Sequence, residues 1–166
     1  MSHSLNKKLR GKTIKIFGPP GTGKTENLLR RVQRFLKQGI LPEEICYISF
    51  TNKAVNECVG RIRKKFKEYD DDAFKYFRTL HSLARQQFAE IPVLDPRADM
   101  VKKFIDDAGT LPIKVLMVDE AQDLTPLQWD MVVKIAKSVW RVYIAGDDDQ
   151  AIYEWNGAEV EYFQTF

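Results

Sequence analysis

Eight residues near the start of the chain, GPPGTGKT at Gly18–Thr25, restrict what it can fold into more than any other stretch. They fit G-x-x-x-x-G-K-[ST], a pattern that carries physical meaning only when a strand runs in and a helix runs out. Both flanks qualify. Ile14, Ile16 and Phe17 read as a buried strand, and Leu28, Leu29, Val32, Phe35 and Leu36 recur at helical spacing. Glycines let backbone N–H groups turn inward around phosphate oxygens, and the start of the helix adds partial positive charge. Gly18, Pro19, Pro20, Gly21, Thr22, Gly23, Lys24, Thr25 and the following Glu26 are therefore candidate nucleotide-binding residues. Lys24 is suited to reach the β- and γ-phosphates, and Thr25 to hold Mg2+.

The rest of the chain continues the alternation. EICYISF predicts a second strand, and Val55, Cys58, Val59, Ile62 and Phe66 mark a helix after it. KYFRTL predicts a short strand leading into a helix through Leu83 and Phe88, and Val101, Phe104, Ile105 and Ala108 predict a further short helix. IKVLMVDE is the plainest strand and RVYIAGD the last. Between them a helix is expected to begin at Thr125-Pro126, with threonine as cap and proline in the first turn. Strands alternating with helices imply an α/β fold, a mostly parallel sheet with helices on both faces. With 166 residues, no repeats and no long linker, one domain is expected.

VLMVDEAQD places Asp119 and Glu120 at the carboxyl end of a strand, where open α/β sheets bind ligands. An aspartate there can hold a metal ion, and the adjacent glutamate can orient an attacking water. Alone, two acids after an apolar run are commonly a solvated strand end; beside a phosphate loop they read as Mg-nucleotide hydrolysis. Composition adds only bounds. The net charge of +3 does not by itself argue for nucleic acid, and 44% hydrophobic residues suffice for a core. No apolar run approaches the roughly 20 residues of a membrane helix, and no signal peptide is visible. Cys46 and Cys58 match no metal or disulfide spacing and read as reduced core thiols of a cytoplasmic protein.

Five stretches, in order, resemble motifs of the superfamily 1 DNA helicases of the UvrD/Rep type. GPPGTGKT is similar to motif I, FTNKAVNECVGRI to motif Ia and RTLHSLA to motif Ib. VDEAQDLTPLQW is similar to motif II and GDDDQAIYEWNGA to motif III. The resemblance implies a RecA-like P-loop NTPase domain that uses ATP and Mg2+, acts on single-stranded DNA and moves 3′→5′. Carried over, Thr25 and Asp119 would serve the metal, and Lys24, Glu120 and Gln150 catalysis, with Gln150 also sensing the γ-phosphate and Asp147 near it. Gln122 would link the hydrolytic site to the DNA side. Phe50, Thr51, Asn52, His81, Tyr153 and Trp155 would face DNA, Trp155 by stacking on a base. Phe50 is equally readable as the last core residue of its strand, His81 as structural and Trp155 as packing. Residues 1–166 would be one motor domain, partnered by a second RecA-like domain carrying the later motifs and their arginine finger. LNKKL departs from the family's upstream adenine-reading element, having Leu9 where glutamine belongs. Two other functions share these motifs: a P-loop ATPase acting on RNA or protein, and a nucleotide-gated single-strand binding module.

Overall fold

The computed structural model describes residues 12–88 and 98–147. Five strands form one parallel sheet: β1 (Thr13–Phe17), β2 (Ile45–Ile48), β3 (Phe77–Arg78), β4 (Val115–Val118) and β5 (Arg141–Gly146). The helices are α1 (Lys24–Lys37), α2 (Asn52–Arg63), α3 (Leu80–Gln87), α4 (Ala98–Asp107) and α5 (Pro126–Ala136). Across the sheet the order is β1-β5-β4-β2-β3. The chain therefore travels outward through β2 to β3, then returns so that β4 and β5 fill the gap beside β1.

Strand periodicity explains the two cores. Ile45, Tyr47, Val115, Met117, Tyr143 and Ala145 pack on one face with Leu28, Val32, Val55 and Ile62, from α1 and α2. Their alternates Cys46, Ile48, Leu116, Val118, Val142 and Ile144 pack on the other with Leu83, Phe104 and Met131, from α3, α4 and α5. Burial on both faces is why the central strands read as unbroken apolar runs. The five residues expected on the inner face of α1 are its five buried ones. The expectation for β1 needs correction: Ile14, Ile16 and Phe17 are half-buried, because among the described residues β1 is an edge strand with a neighbour on one side only.

Helix starts follow local chemistry. Thr51, Thr79 and Thr125 accept hydrogen bonds from the backbones of Ala54, Ser82 and Gln128, at 3.2, 3.3 and 3.3 Å. Thr79 is thus taken as a cap, which helps limit the strand expected in KYFRTL to two residues. The Gln128 side chain returns to Thr125 N at 2.9 Å, completing a reciprocal cap in front of Pro126. Phe66 lies beyond the last residue of α2, yet it is buried against the same core. No described helix is long and apolar enough to cross a membrane.

Candidate nucleotide site and nucleic-acid edge

Among the Thr-led helix starts α1 is the exception. It begins after Gly23 at φ 79°, without a side-chain cap among the described residues, so its first N–H groups remain available to an anion. Gly21 is also left-handed, at φ 80°, where a Cβ would be strained. These conformations curl the loop over itself, and Thr22 Oγ1 donates to Pro19 O at 2.7 Å. Lys24 Nζ folds back inside the curl, donating to Gly18 O at 2.6 Å and Pro19 O at 2.9 Å. Its remaining partner is Asp147, whose Oδ1 lies 2.9 Å away.

Sheet order produces that ion pair. Phe17 pairs with Gly146, so the residues that follow, Gly18 and Asp147, emerge side by side at the carboxyl edge. β5 separates β1 from β4, and the turn after β4 delivers Asp119 and Glu120 to the same edge. Asp119 is buried, at 3% exposure. Its Oδ2 accepts from Thr25 Oγ1 at 2.8 Å and from the Tyr47 hydroxyl at 2.9 Å, while Oδ1 accepts from Glu120 N at 3.0 Å. A threonine hydroxyl against a buried carboxylate is a hard-oxygen donor set, suited to Mg2+.

Glu120 adopts φ 53° and ψ 45°, a left-handed conformation unusual for a residue with a side chain. The turn is closed by Asp123 N donating to Glu120 O at 3.0 Å. Partial burial of its carboxyl, then the charges of Asp119, Asp123 and Asp147, push Glu120 above the ordinary glutamate range, against an opposing pull from Lys24. Gln122 Oε1 accepts from Asp147 N at 3.0 Å, tying the turn after β4 to the end of β5.

These groups share a cavity of about 620 Å³, within the size range of small-molecule sites. Its floor is the loop with Lys24 and Thr25; Asp119, Glu120 and Asp147 form one wall. The opposite wall is α2, through Ala54, Cys58 and Arg61. Arg61 is paired with Glu26, which also meets Arg30 at 3.3 Å, and the Arg61 hydrogen bond holds the Glu26 carboxyl low. Burial pushes the Cys58 thiol up to about 12, keeping it protonated. Burial also raises the Tyr47 phenol, with Cys58 and Asp119 adding to the effect, so it remains a donor.

The sequence reading brought Lys24, Thr25, Asp119 and Glu120 to one site, and here they meet. It missed Tyr47, which looks like one more apolar strand residue, and Arg61, which sits in a run of surface charges. Gln150, Tyr153 and Trp155 lie outside the described residues. The remaining DNA-facing candidates follow the carboxyl ends of β2 and β3. Phe50 is 51% exposed, so it does not finish the core of its strand. Thr51 caps α2, Asn52 is its first residue, and both are exposed. His81, also exposed, is in the first turn of α3. Because β2 and β3 are neighbours, α2 and α3 start from adjacent points on this edge.

Comparison with known proteins agrees with this arrangement. The AAA domain family model matches residues 2–156. A protein of Acanthamoeba polyphaga mimivirus named as an ATP-dependent DNA helicase is 27% identical over 169 residues, covering 92% of this chain and 24% of its own length. DNA helicase II of Escherichia coli is 45% identical over 51 residues, 31% of this chain and 7% of that protein. The helicase Rep of the same organism is 46% identical over 46 residues, 28% of this chain and 7% of its own. The chain thus spans about a quarter or less of the length of each of these relatives.

Proposed function

This chain belongs to the AAA domain family, and from that premise we propose that it is the ATP-binding motor domain of a UvrD/Rep-type, single-strand DNA translocase and helicase. The observation that carries the reading is the convergence of Lys24, Thr25, Asp119, Glu120 and Asp147 around one cavity walled by α2, the helix whose start carries the exposed Phe50–Asn52 stretch. Residues of the first set suit a nucleoside triphosphate, and those of the second suit an extended polyanion with bases to stack on.

In the proposed mechanism the N–H groups at the uncapped start of α1 and the Lys24 ammonium hold the phosphates. Lys24 must exchange Asp147 for a phosphate oxygen, so loading and the end of β5 are coupled through one ion pair. Thr25 and Asp119 would hold Mg2+, which when bound neutralises charge building on the phosphates. Glu120, beside Asp119 at the cavity, takes the proton from the attacking water. Gln122 relays the state of the turn after β4 to Asp147 and the segment that follows, where Gln150 is proposed to meet the γ-phosphate.

For DNA, Phe50 supplies a stacking face, and the first N–H groups of α2 and α3, which the Thr51 and Thr79 caps on Ala54 N and Ser82 N leave free, would meet phosphates near Thr51, Asn52 and His81. Tyr153 and Trp155 are proposed as further stacking faces for DNA, as the family resemblance implies. A second RecA-like domain is proposed to close the nucleotide site, because one rigid body cannot step along a strand. Movement 3′→5′ follows from the family resemblance, and a cytoplasmic setting accords with two free, buried thiols.

The test is steady-state ATPase of the full-length protein with single-stranded DNA, with RNA and without nucleic acid. Strong stimulation by single-stranded DNA alone is expected. Equal rates in all three conditions would refute the DNA assignment while leaving the nucleotide site intact.

A further inference from the structure

We propose that Tyr47 is a positioning residue for the metal-holding carboxylate, its hydroxyl fixing Asp119 in the orientation that Mg2+ requires. This rests on reading Thr25 and Asp119 as the Mg2+ site. Tyr47 lies in the middle of β2, fully buried, 72 residues away in sequence from Asp119. Its ring has ordinary work to do, stacking on Phe77 at 5.6 Å between centroids and 17° between planes. A phenylalanine would do that work equally well.

The hydroxyl is the feature to explain. A buried hydroxyl is costly without a partner, and a charged acceptor makes the strongest one. The sheet supplies it by register. Tyr47 pairs with Met117, and alternate residues share a face, so Asp119 follows Met117 on the face of Tyr47 and α1. The phenol reaches forward along that face to Oδ2 at 2.9 Å.

Three donors from three parts of the fold now hold one carboxylate: Thr25 from α1, Tyr47 from β2, and the Glu120 backbone from the turn after β4. Thr25 is the least constrained of these, since the residue is exposed in the first turn of α1 and is itself a proposed metal ligand. Glu120 N sits in the strained turn. Tyr47 is the donor set in the rigid core, so it defines where Oδ2 lies before nucleotide arrives and keeps it there while Thr25 adjusts. Without it, Oδ2 retains Thr25 alone and Asp119 can rotate. Removing an outer partner of this type typically weakens metal affinity about 10–100-fold.

The experiment compares the parent protein and Tyr47→Phe by two titrations of a fluorescent ADP analogue, one in EDTA and one with increasing Mg2+, supported by Mn2+ binding with ADP followed by electron paramagnetic resonance. The expected result is an unchanged affinity in EDTA with a Mg2+ midpoint, and a Mn2+ affinity, weaker by about tenfold or more. Midpoints within twofold of the parent overturn the proposal. So does an equal loss of affinity with and without metal, which marks a merely structural hydroxyl. If the parent itself shows no Mg2+ dependence, the metal reading of Thr25 and Asp119 fails and the Tyr47 role falls with it; the two failures are thus distinguishable. Should Tyr47→Phe not fold, 3-fluorotyrosine placed at position 47 keeps the hydroxyl. Its fluorine resonance should then shift when Mg2+ is added to the pyrophosphate-bound protein, and a fixed resonance overturns the proposal.

Discussion

Glu120 is expected to trade stability for turnover, and two substitutions separate the causes. Glu120→Gln keeps the shape and removes the charge. Glu120→Gly also removes the side chain from a backbone at φ 53°, where non-glycine residues are penalised by roughly 1–2 kcal/mol. Glycine loses about 0.5–1 kcal/mol to its freer unfolded chain. The backbone difference between the variants is then about 0–1.5 kcal/mol in favour of glycine, with a midpoint of about 0.75 kcal/mol. In a protein of this size 1 kcal/mol moves the melting temperature by about 2–4 °C, so Glu120→Gly should melt roughly 1–4 °C above Glu120→Gln. The charge contributes with a definite pH sign. The folded carboxyl holds its proton more tightly than the unfolded one, so on raising pH the unfolded state deprotonates first and gains. The parent therefore loses stability as pH rises through and above the ordinary glutamate range, a loss the glutamine variant does not share. Both variants should bind the fluorescent ADP analogue as the parent does while ATP turnover falls by about 10²–10⁴, the usual contribution of a general base. The assay is thermal unfolding from pH 4 to pH 8, beside nucleotide titration and ATPase of the full-length protein. A Glu120→Gly protein melting below Glu120→Gln would show that the left-handed backbone is not costly here. Loss of nucleotide binding in Glu120→Gln would move Glu120 from proton transfer to binding.

Asp147→Asn should free Lys24 from its carboxylate and tighten ADP binding in EDTA by up to about fivefold, a partly exposed pair being worth at most about 1 kcal/mol; weaker binding in EDTA would place Asp147 among the nucleotide contacts. Phe50→Ala should leave the melting temperature close to the parent's, because the ring is already half in solvent, and weaken single-stranded DNA binding by about 1–3 kcal/mol in fluorescence anisotropy. An unfolded Phe50→Ala protein would return that residue to the core. Thr125→Ala removes the threonine half of a reciprocal cap and should cost about 1 kcal/mol, read as a melting temperature lower by about 2–4 °C with nucleotide binding unchanged.

Much of this protein was determined by neighbouring residues alone. The phosphate loop needs a strand, a tight turn and a helix within a short stretch, so Gly18–Thr25 declared both its geometry and its chemistry. The inner face of α1 was legible because Leu28, Leu29, Val32, Phe35 and Leu36 obey the helical period, and the α5 start because Thr125, Pro126 and Gln128 act within one turn. Asp119 and Glu120 were legible as a pair at a strand end. Periodicity, however, says which residues share a face and not what faces them. That Lys24 meets Asp147 depends on β5 lying between β1 and β4, a long-range pairing that no local pattern encodes. Phe50 was undecided between core and solvent because an apolar residue just past a strand suits either; the sheet ends at Ile48, two residues earlier, and Phe50 is exposed. Tyr47 was invisible for the same reason: in sequence it is one apolar position among several. Only the register of β2 against β4 turns its hydroxyl toward a carboxylate far along the chain, because hydrogen bonding between strands fixes distances that composition leaves open.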